Sequence, residues 1–308
     1  MAEIVISEFM DESAIQDLLS DFDVVYNPTL VDKPRELVSA LADAKAIIVR
    51  NRTQVNQQLL DAAPHLRVVG RLGVGLDNID MQACASRDIA VLPAKGANDL
   101  AVAEYAITAA LVLLRGAWLS SPLMVAGEWP RTALIGREAA GKILGLVGFG
   151  PIARETAVRA AALGMQVAAF DPYLAADDPA WADVRRMSLP ELAQGSDVVS
   201  LHVPLNGETH HLVDADFIAS MRKGAILINA ARGGVVDESA VINALCNGHL
   251  GGASLDVFES EPLDAMHSSQ FEGVPNLLLT PHIAGVTEES NTRVSRVTAT
   301  NVVKHLAH

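Results

Sequence analysis

Residues 144–173 read "LGLVGFGPIARETAVRAAALGMQVAAFDPY". An apolar run ends in Gly148-x-Gly150-x-x-Ala153, a helical pattern follows, a second apolar run comes next, and Asp171 closes it 23 residues after Gly148. Strand, tight turn, helix, strand and terminal acid in that order form part of a doubly wound dinucleotide-binding sheet. The first glycine permits the turn and the second lets the backbone approach a pyrophosphate. The third position needs a small residue, which Ala153 satisfies with one extra methyl. The first turn of the helix offers N–H groups and a partial positive charge to the phosphates. Asp171 can accept hydrogen bonds from the adenosine ribose hydroxyls, and a 2′-phosphate would meet it as a like charge. With no arginine in the "PYLAADD" that follows, NAD is expected rather than NADP. A glycine turn that merely joins strand to helix is the plain alternative.

Outward from this turn the same rhythm runs in both directions. "EIVIS", "DVVY", "AIIV", "RVVG" and "IAVL" precede it, and "DVVSLHV", "GAILINA", "GGASLDV" and "NLLLT" follow, with helical patterns such as 152–163 interposed. The expected class is α/β: two doubly wound parallel-sheet units, Rossmann or flavodoxin-like, with a cleft between them. Residues 99–118 read as a long helix bridging the units, with Asn98 or Asp99 as its cap. "SLPE", Ser188 to Glu191, has capping-box spacing. A last helix, Thr287 to about Leu306, is followed by no strand and must dock on a layer already built.

Composition narrows the function. The 308 residues are half apolar and carry a formal charge of −14, and no block of Lys and Arg offsets the repulsion of a polyanion, so nucleic acid is not expected as a partner. Cys84 and Cys246 lie far apart without a CxxC spacing, so neither a disulfide framework nor a metal site is expected. The acidic "MAEIVISEFMDE" start lacks the layout of a signal peptide. "YAITAALVLL", residues 105–114, is too short to cross a bilayer. A soluble cytoplasmic protein is the reading.

A second glycine pair, Gly73-x-Gly75 in "GRLGVGLDNID", is crowded by Asp77, Asn78 and Asp80, which would repel phosphate. A loop gripping a small anionic substrate through the backbone of Leu72, Gly73 and Val74 fits this turn, and so does an ordinary strand-to-helix connection.

If a nicotinamide cofactor is bound, hydride chemistry follows, with its groups on loops at the carboxyl ends of strands. Three candidates stand there: Arg232 after "AILINAA", Glu261 in "FESEP" and His282 in "PHIAG". Oxidising a 2-hydroxy acid requires removal of the hydroxyl proton as hydride leaves, a task in the titration range of histidine. Glu261 would orient that ring. Arg232 would hold the substrate carboxylate by paired charge-assisted hydrogen bonds, each worth about 1.5–3 kcal/mol. A surface ion pair, a solvated loop acid and a structural histidine are the duller alternatives.

These segments, with "LHVPLNGETHHLV" and "TPHIAG", resemble in order and spacing the D-isomer-specific 2-hydroxyacid dehydrogenases, particularly their phosphoglycerate-dehydrogenase-like branch. The resemblance spans nearly the whole chain. It implies a discontinuous substrate domain, 1–98 plus 287–308, around an inserted NAD domain, 99–286. It implies catalysis by Arg232, Glu261 and His282. Cofactor contacts are implied from Gly148, Gly150, Pro151, Ile152, Asp171, His202, Ala230, Ala231, Arg232, Asp256 and His282, together with a homodimer formed largely through the cofactor domains. Ala153 stands where many members carry glycine, and the ending at His308 leads to an expectation of no serine-type feedback domain.

Substrate contacts are expected from Arg50, Leu72, Gly73, Val74, Arg232 and His282, with Arg52 beside Arg50 and with Arg71 and Lys95 on neighbouring strand ends. Such cations suit a three-carbon acid with an anionic group at C3. Among these (S)-sulfolactate ranks first, with 3-phosphoglycerate or another D-2-hydroxy acid as the alternative. The rival of another class is an NAD-sensing corepressor-like scaffold, which would form no NADH.

Overall fold

The structure is a computed structural model and describes residues 2–307. The chain divides into two compact units: one is Asp99–Gly285, and the other ends its first stretch at Asn98 and resumes at Val286.

The discontinuous unit holds strands β1 (Ile4–Ile6), β2 (Val24–Tyr26), β3 (Ala46–Val49), β4 (Val68–Arg71) and β5 (Ala90–Pro93), in the order β2-β1-β3-β4-β5. Every pairing is parallel. Both faces are covered, so β1, β3 and β4 are buried along their whole length; β1 and β3 read as unbroken apolar runs, and β4 ends on the buried Arg71. Val5, Ile47, Val49 and Val69 face one core with Leu41, Leu59 and Leu60. Ile4, Ile6, Ile48 and Val68 face the other, where Val294, Ala299 and Val302 of the helix Glu288–Leu306 join them. Gly70 in β4 is what lets that helix lie down: a Cβ there would stand 2.7 Å from Val302 and 3.0 Å from Thr298. Thr287 caps the helix in a reciprocal box with Ser290. The final helix thus completes the sheet that begins the chain.

The continuous unit holds β6 (Ile143–Val147), β7 (Gln166–Phe170), β8 (Arg185–Arg186), β9 (Val198–Leu201), β10 (Ala225–Asn229), β11 (Leu250–Leu255) and β12 (Leu277–Leu279). Their order is β12-β11-β10-β9-β6-β7-β8, all parallel. The order reverses between β6 and β9, the switch point beside which nucleotides bind in such sheets. The helix Asp99–Arg115 meets Pro151–Ala162 through alanines, among them Ala106, Ala109 and Ala110 against Ala153, Ala157 and Ala160.

Local details differ from the sequence reading. The long helix stops at Arg115 and not Trp118, because Gly116 turns left-handed at φ 64°. Asn98 does not cap it: its Oδ1 is buried and accepts no hydrogen bond among the described residues. The two-residue strand β8, Arg185–Arg186, is not among the apolar runs of the sequence reading, because it is made of two exposed arginines. The capping box at Ser188 and Glu191 forms as expected. Both cysteines are free, and among the described residues no group of His, Cys, Asp or Glu could hold a metal, and no helix is long and apolar enough to cross a membrane.

Candidate active site

The turn after β6 uses its two glycines differently. Gly148 lies at φ 88° and donates to the Phe170 carbonyl at 2.8 Å. A Cβ on it would stand 2.5 Å from the His202 carbonyl, which follows β9 across the switch point. Gly148 is therefore required by the fold. A Cβ on Gly150 would meet nothing within 4 Å, so the small residue there keeps open the space in front of the helix Pro151–Ala162. That is the space a pyrophosphate needs at a helix N-terminus, and the turn fits NAD on this ground. Pro151 and Ile152 form the first turn of the helix, and Ala153 is fully buried behind it.

Asp171 has a second task that its spacing did not reveal. Its Oδ2 accepts the Phe149 N–H at 2.8 Å and its Oδ1 the Tyr173 N–H at 2.9 Å, so it braces the glycine turn. Each carboxylate oxygen keeps a lone pair for a ribose hydroxyl. His202 contacts Ser200 Oγ through Nε2 at 3.0 Å. Burial lowers its pKa to about 4, so the ring beside the turn is neutral at physiological pH.

The three candidate side chains for chemistry come together because β10, β11 and β12 are parallel neighbours and end on one edge of the sheet. Buried Asn229 closes β10 and shapes the loop carrying Arg232: its Nδ2 donates to the Arg232 carbonyl at 2.8 Å, and its Oδ1 accepts the Ala231 N–H at 3.1 Å. That bond occupies the Ala231 amide, so a cofactor would meet Ala231 by other atoms. Gly233 packs so closely on the next loop that a Cβ would fall 1.9 Å from the Phe258 carbonyl. Arg232 is thereby held beside Glu261.

Glu261 Oε1 accepts the Phe258 N–H at 2.9 Å, and Oε2 meets His282 Nδ1 at 2.7 Å. Burial pushes the Glu261 pKa up, but bonds from His282 and Phe258 and the charges of His282 and Arg232 outweigh it, and the carboxyl lies below its ordinary value. An ionised Glu261 only accepts, so Nδ1 carries the proton and Nε2 is the basic nitrogen of the neutral ring. Among the described residues Nε2 has no hydrogen-bond partner, and the His282 side chain is 39% exposed. The ring can therefore take a proton from outside the protein.

His282 sits at φ 53°, a left-handed conformation costing a residue with a side chain roughly 1–2 kcal/mol. Asp256, 1% exposed, holds it there. The His282 N–H donates to the Asp256 carbonyl at 2.7 Å, and the Asp256 carboxylate accepts from Ile283 N–H, Ala284 N–H and the Thr280 hydroxyl at 2.8, 2.8 and 2.6 Å. Expected as a cofactor contact, Asp256 has both carboxylate oxygens engaged with the histidine loop. Asn229, Gly233 and Thr280 were not singled out from the sequence. The usable signal was a polar residue at the end of a strand otherwise fully apolar.

In the discontinuous unit, the loop after β3 is organised by Glu8, 4% exposed, whose Oε1 accepts the N–H of Arg50 and of Thr53 at 2.8 and 2.9 Å and whose Oε2 accepts that of Arg52 at 3.1 Å. Arg50 Nη2 donates to Asn291 Oδ1 at 2.6 Å, and its guanidinium lies 5.9 Å from the Phe9 ring centre. Arg52 instead pairs with Asp32 on the surface. Arg71 is buried, with Nη1 on the Leu72 carbonyl at 2.5 Å, and Lys95 is exposed. The substrate-loop expectation needs correction. Leu72 N–H is spent on the Val49 carbonyl at 2.8 Å and Gly73 N–H on the Arg71 carbonyl at 2.8 Å. Of the three amides only Val74's has no partner among the described residues. Asn78, read as crowding the turn, supports the Arg50 loop through Nδ2, which donates to the Thr53 carbonyl at 2.7 Å.

Comparison with known proteins agrees with this geometry. Residues 107–284 match the family described as D-isomer specific 2-hydroxyacid dehydrogenase, NAD binding domain. An (S)-sulfolactate dehydrogenase from Chromohalobacter salexigens is 56% identical over 307 residues, 99% of either chain. A D-3-phosphoglycerate dehydrogenase from Bacillus subtilis is 35% identical over 305 residues, 99% of this chain and 57% of that one. The crystal structure of D-lactate dehydrogenase from Aquifex aeolicus, complexed with NAD and lactic acid, covers 99% of this chain and 95% of its own at a TM-score of 0.82 and 28% identity.

Proposed function

Because the chain belongs to the D-isomer-specific 2-hydroxyacid dehydrogenases and uses NAD, we propose that it oxidises (S)-sulfolactate to sulfopyruvate, and that His282, Glu261 and Arg232 are the residues that do so. The observation carrying the residue assignment is the His282–Glu261 contact of 2.7 Å at the ends of neighbouring strands, beside Arg232. NAD, when bound, supplies the hydride acceptor. His282 Nε2 takes the hydroxyl proton, and Glu261 holds the ring's tautomer and stabilises the imidazolium that results. Arg232 grips the substrate carboxylate with its planar fork. In the reducing direction the same imidazolium returns the proton to the carbonyl oxygen. Pro151, Ile152, Ala230, Ala231 and His202 would line the cofactor, with Asp171 on its ribose.

The substrate assignment rests on the 56% identity over the whole chain. The configuration is consistent, since sulfur outranks the carboxylate in the naming rules and gives (S)-sulfolactate the D arrangement. Purified protein with NAD should form NADH from (S)-sulfolactate at a kcat/KM well above that for D-3-phosphoglycerate, D-lactate or (R)-sulfolactate. A preference for D-3-phosphoglycerate would overturn the assignment.

A homodimer built on the continuous unit is supported by its segment 117–136, where Trp118, Val125, Trp129 and Ile135 are 69%, 90%, 74% and 79% exposed. Apolar surface of that kind is normally covered. Sedimentation should give a dimer and, for Trp129→Asp, a monomer. Dependence on NAD fits a cytoplasmic location.

A further inference from the structure

Behind the His282 loop lies a line of hydroxyl groups whose hydrogen-bond direction can be worked out. Tyr105 Oη, on the helix Asp99–Arg115, is 2.6 Å from Thr280 Oγ1 and 3.0 Å from Ser254 Oγ, and Thr280 Oγ1 is 2.6 Å from Asp256 Oδ1. The Asp256 carboxylate receives only donors, so the single Thr280 hydroxyl proton goes to it. The short contact between Tyr105 and Thr280 must then be donated by Tyr105, and that between Ser254 and Tyr105 by Ser254. The chain runs Ser254 to Tyr105 to Thr280 to Asp256. Ser254 is fully buried and Asp256 nearly so, and in such surroundings successive bonds polarise and strengthen one another. Burial raises the Tyr105 pKa, against the pull of its bonds to Ser254 and Thr280. The hydroxyl therefore keeps the proton it donates.

The line ends where the histidine is set. The His282 N–H bonds to the carbonyls of Asp256 and Thr280 at 2.7 and 3.0 Å, so the two residues that close the line also fix the left-handed backbone at His282. We propose that Tyr105 is a positioning residue for hydride transfer: its hydroxyl locks Thr280 onto Asp256 and so presents the His282 ring to Glu261 and to the substrate. This rests on the reading of His282 as the proton carrier. Tyr105 touches neither substrate nor cofactor in this role and acts only through Thr280.

The test is a kinetic double-mutant cycle on the full-length protein with NAD and (S)-sulfolactate, or whichever D-2-hydroxy acid it turns over best. Tyr105→Phe should lower kcat about tenfold, the scale of a small misplacement of a reacting group, with KM and the NAD dissociation constant within about twofold of wild type, the pattern of an interaction lost in the transition state. Thr280→Ser should keep kcat and Thr280→Val should lose it, and adding Tyr105→Phe to Thr280→Val should cost nothing further, because both act on one bond. Wild-type kcat in Tyr105→Phe, losses that multiply in the double variant, or a Tyr105→Phe protein that fails to fold or to bind NAD would each overturn the proposal. His282→Ala separates the two levels. Turnover retained there removes the reading of His282 itself, whereas turnover abolished there with Tyr105→Phe unaffected removes only the role of Tyr105.

Discussion

Arg232 is the residue whose presence an apolar strand cannot explain, and its chemistry is the most exposed to test. Arg232→Lys keeps the charge but replaces a planar two-pronged donor with a point charge. We expect kcat/KM for the hydroxy acid to fall at least about a hundredfold, equivalent to about 2.7 kcal/mol, with NAD affinity within a factor of a few. Unchanged kinetics would make Arg232 a structural residue. His202 offers a test of a different kind. Its pKa in the folded protein is about 4, against about 6.5 when exposed. Because the folded value is the lower, the unfolded chain binds the proton first, and stability is complete above pH 6.5 and lost as the pH falls from there toward 4. The amount is at most about 3 kcal/mol, and less to the extent that the ring keeps some solvent contact. Urea unfolding midpoints should fall across this window in the wild type and more shallowly in His202→Gln. Glu261 and Asp237, whose pKa values are lowered, lose their contributions below about pH 4, outside it. Arg232, Glu261 and His282 were legible because permanent or titratable groups stand directly after apolar strands. Tyr105 and Thr280 were not, since a hydroxyl on an alanine-rich helix has no distinguishing spacing, and its partners lie 149 and 175 residues away.

At the level of the element, the glycine turn separates two requirements that the spacing motif merges. Gly148→Ala places a side chain at φ 88° and a Cβ 2.5 Å from the His202 carbonyl, so strain and clash together should cost roughly 2–4 kcal/mol of stability. Gly150→Ala meets no protein atom within 4 Å and should leave the apo protein within about 0.5 kcal/mol of wild type. Its effect should appear in NAD affinity, where the methyl intrudes on the space for the pyrophosphate. Thermal unfolding without cofactor and titration with NAD would separate the two, and a Gly150→Ala protein that bound NAD normally would take the pyrophosphate away from this turn. The motif disclosed that both glycines matter, because it encodes a backbone path. It did not disclose that Asp171 braces Phe149, nor that the loop at Leu72 and Gly73 spends its amides internally. Those facts depend on how neighbouring strands end, which spacing along one segment does not specify.

On the scale of the whole chain, each hydrophobic core draws on one unit alone: two lie between residues 4 and 306 outside the stretch 99–285, and three lie within it. Both sheets were legible because buried parallel strands appear as short unbroken apolar runs between helical patterns. Where the last helix docks was legible only through the family resemblance, which groups 287–308 with 1–98, and not from the pattern of the helix itself. What selects β4 is the missing side chain at Gly70, beneath Val302 and Thr298. This leads to a prediction about how the chain comes apart. Gly70→Val must push the helix Glu288–Leu306 off its sheet, and overpacking of this kind costs typically 1–3 kcal/mol or more. Hydrogen exchange should then speed up in residues 4–98 and 288–306 while residues 143–255 keep their protection. NAD at a hundred times its dissociation constant should add about 2.7 kcal/mol to the opening free energy of the continuous unit, in the variant as in the wild type. Exchange that rises uniformly over the whole chain would instead mean that the two units unfold as one, and that the cofactor stabilises the substrate loops as strongly as its own turn.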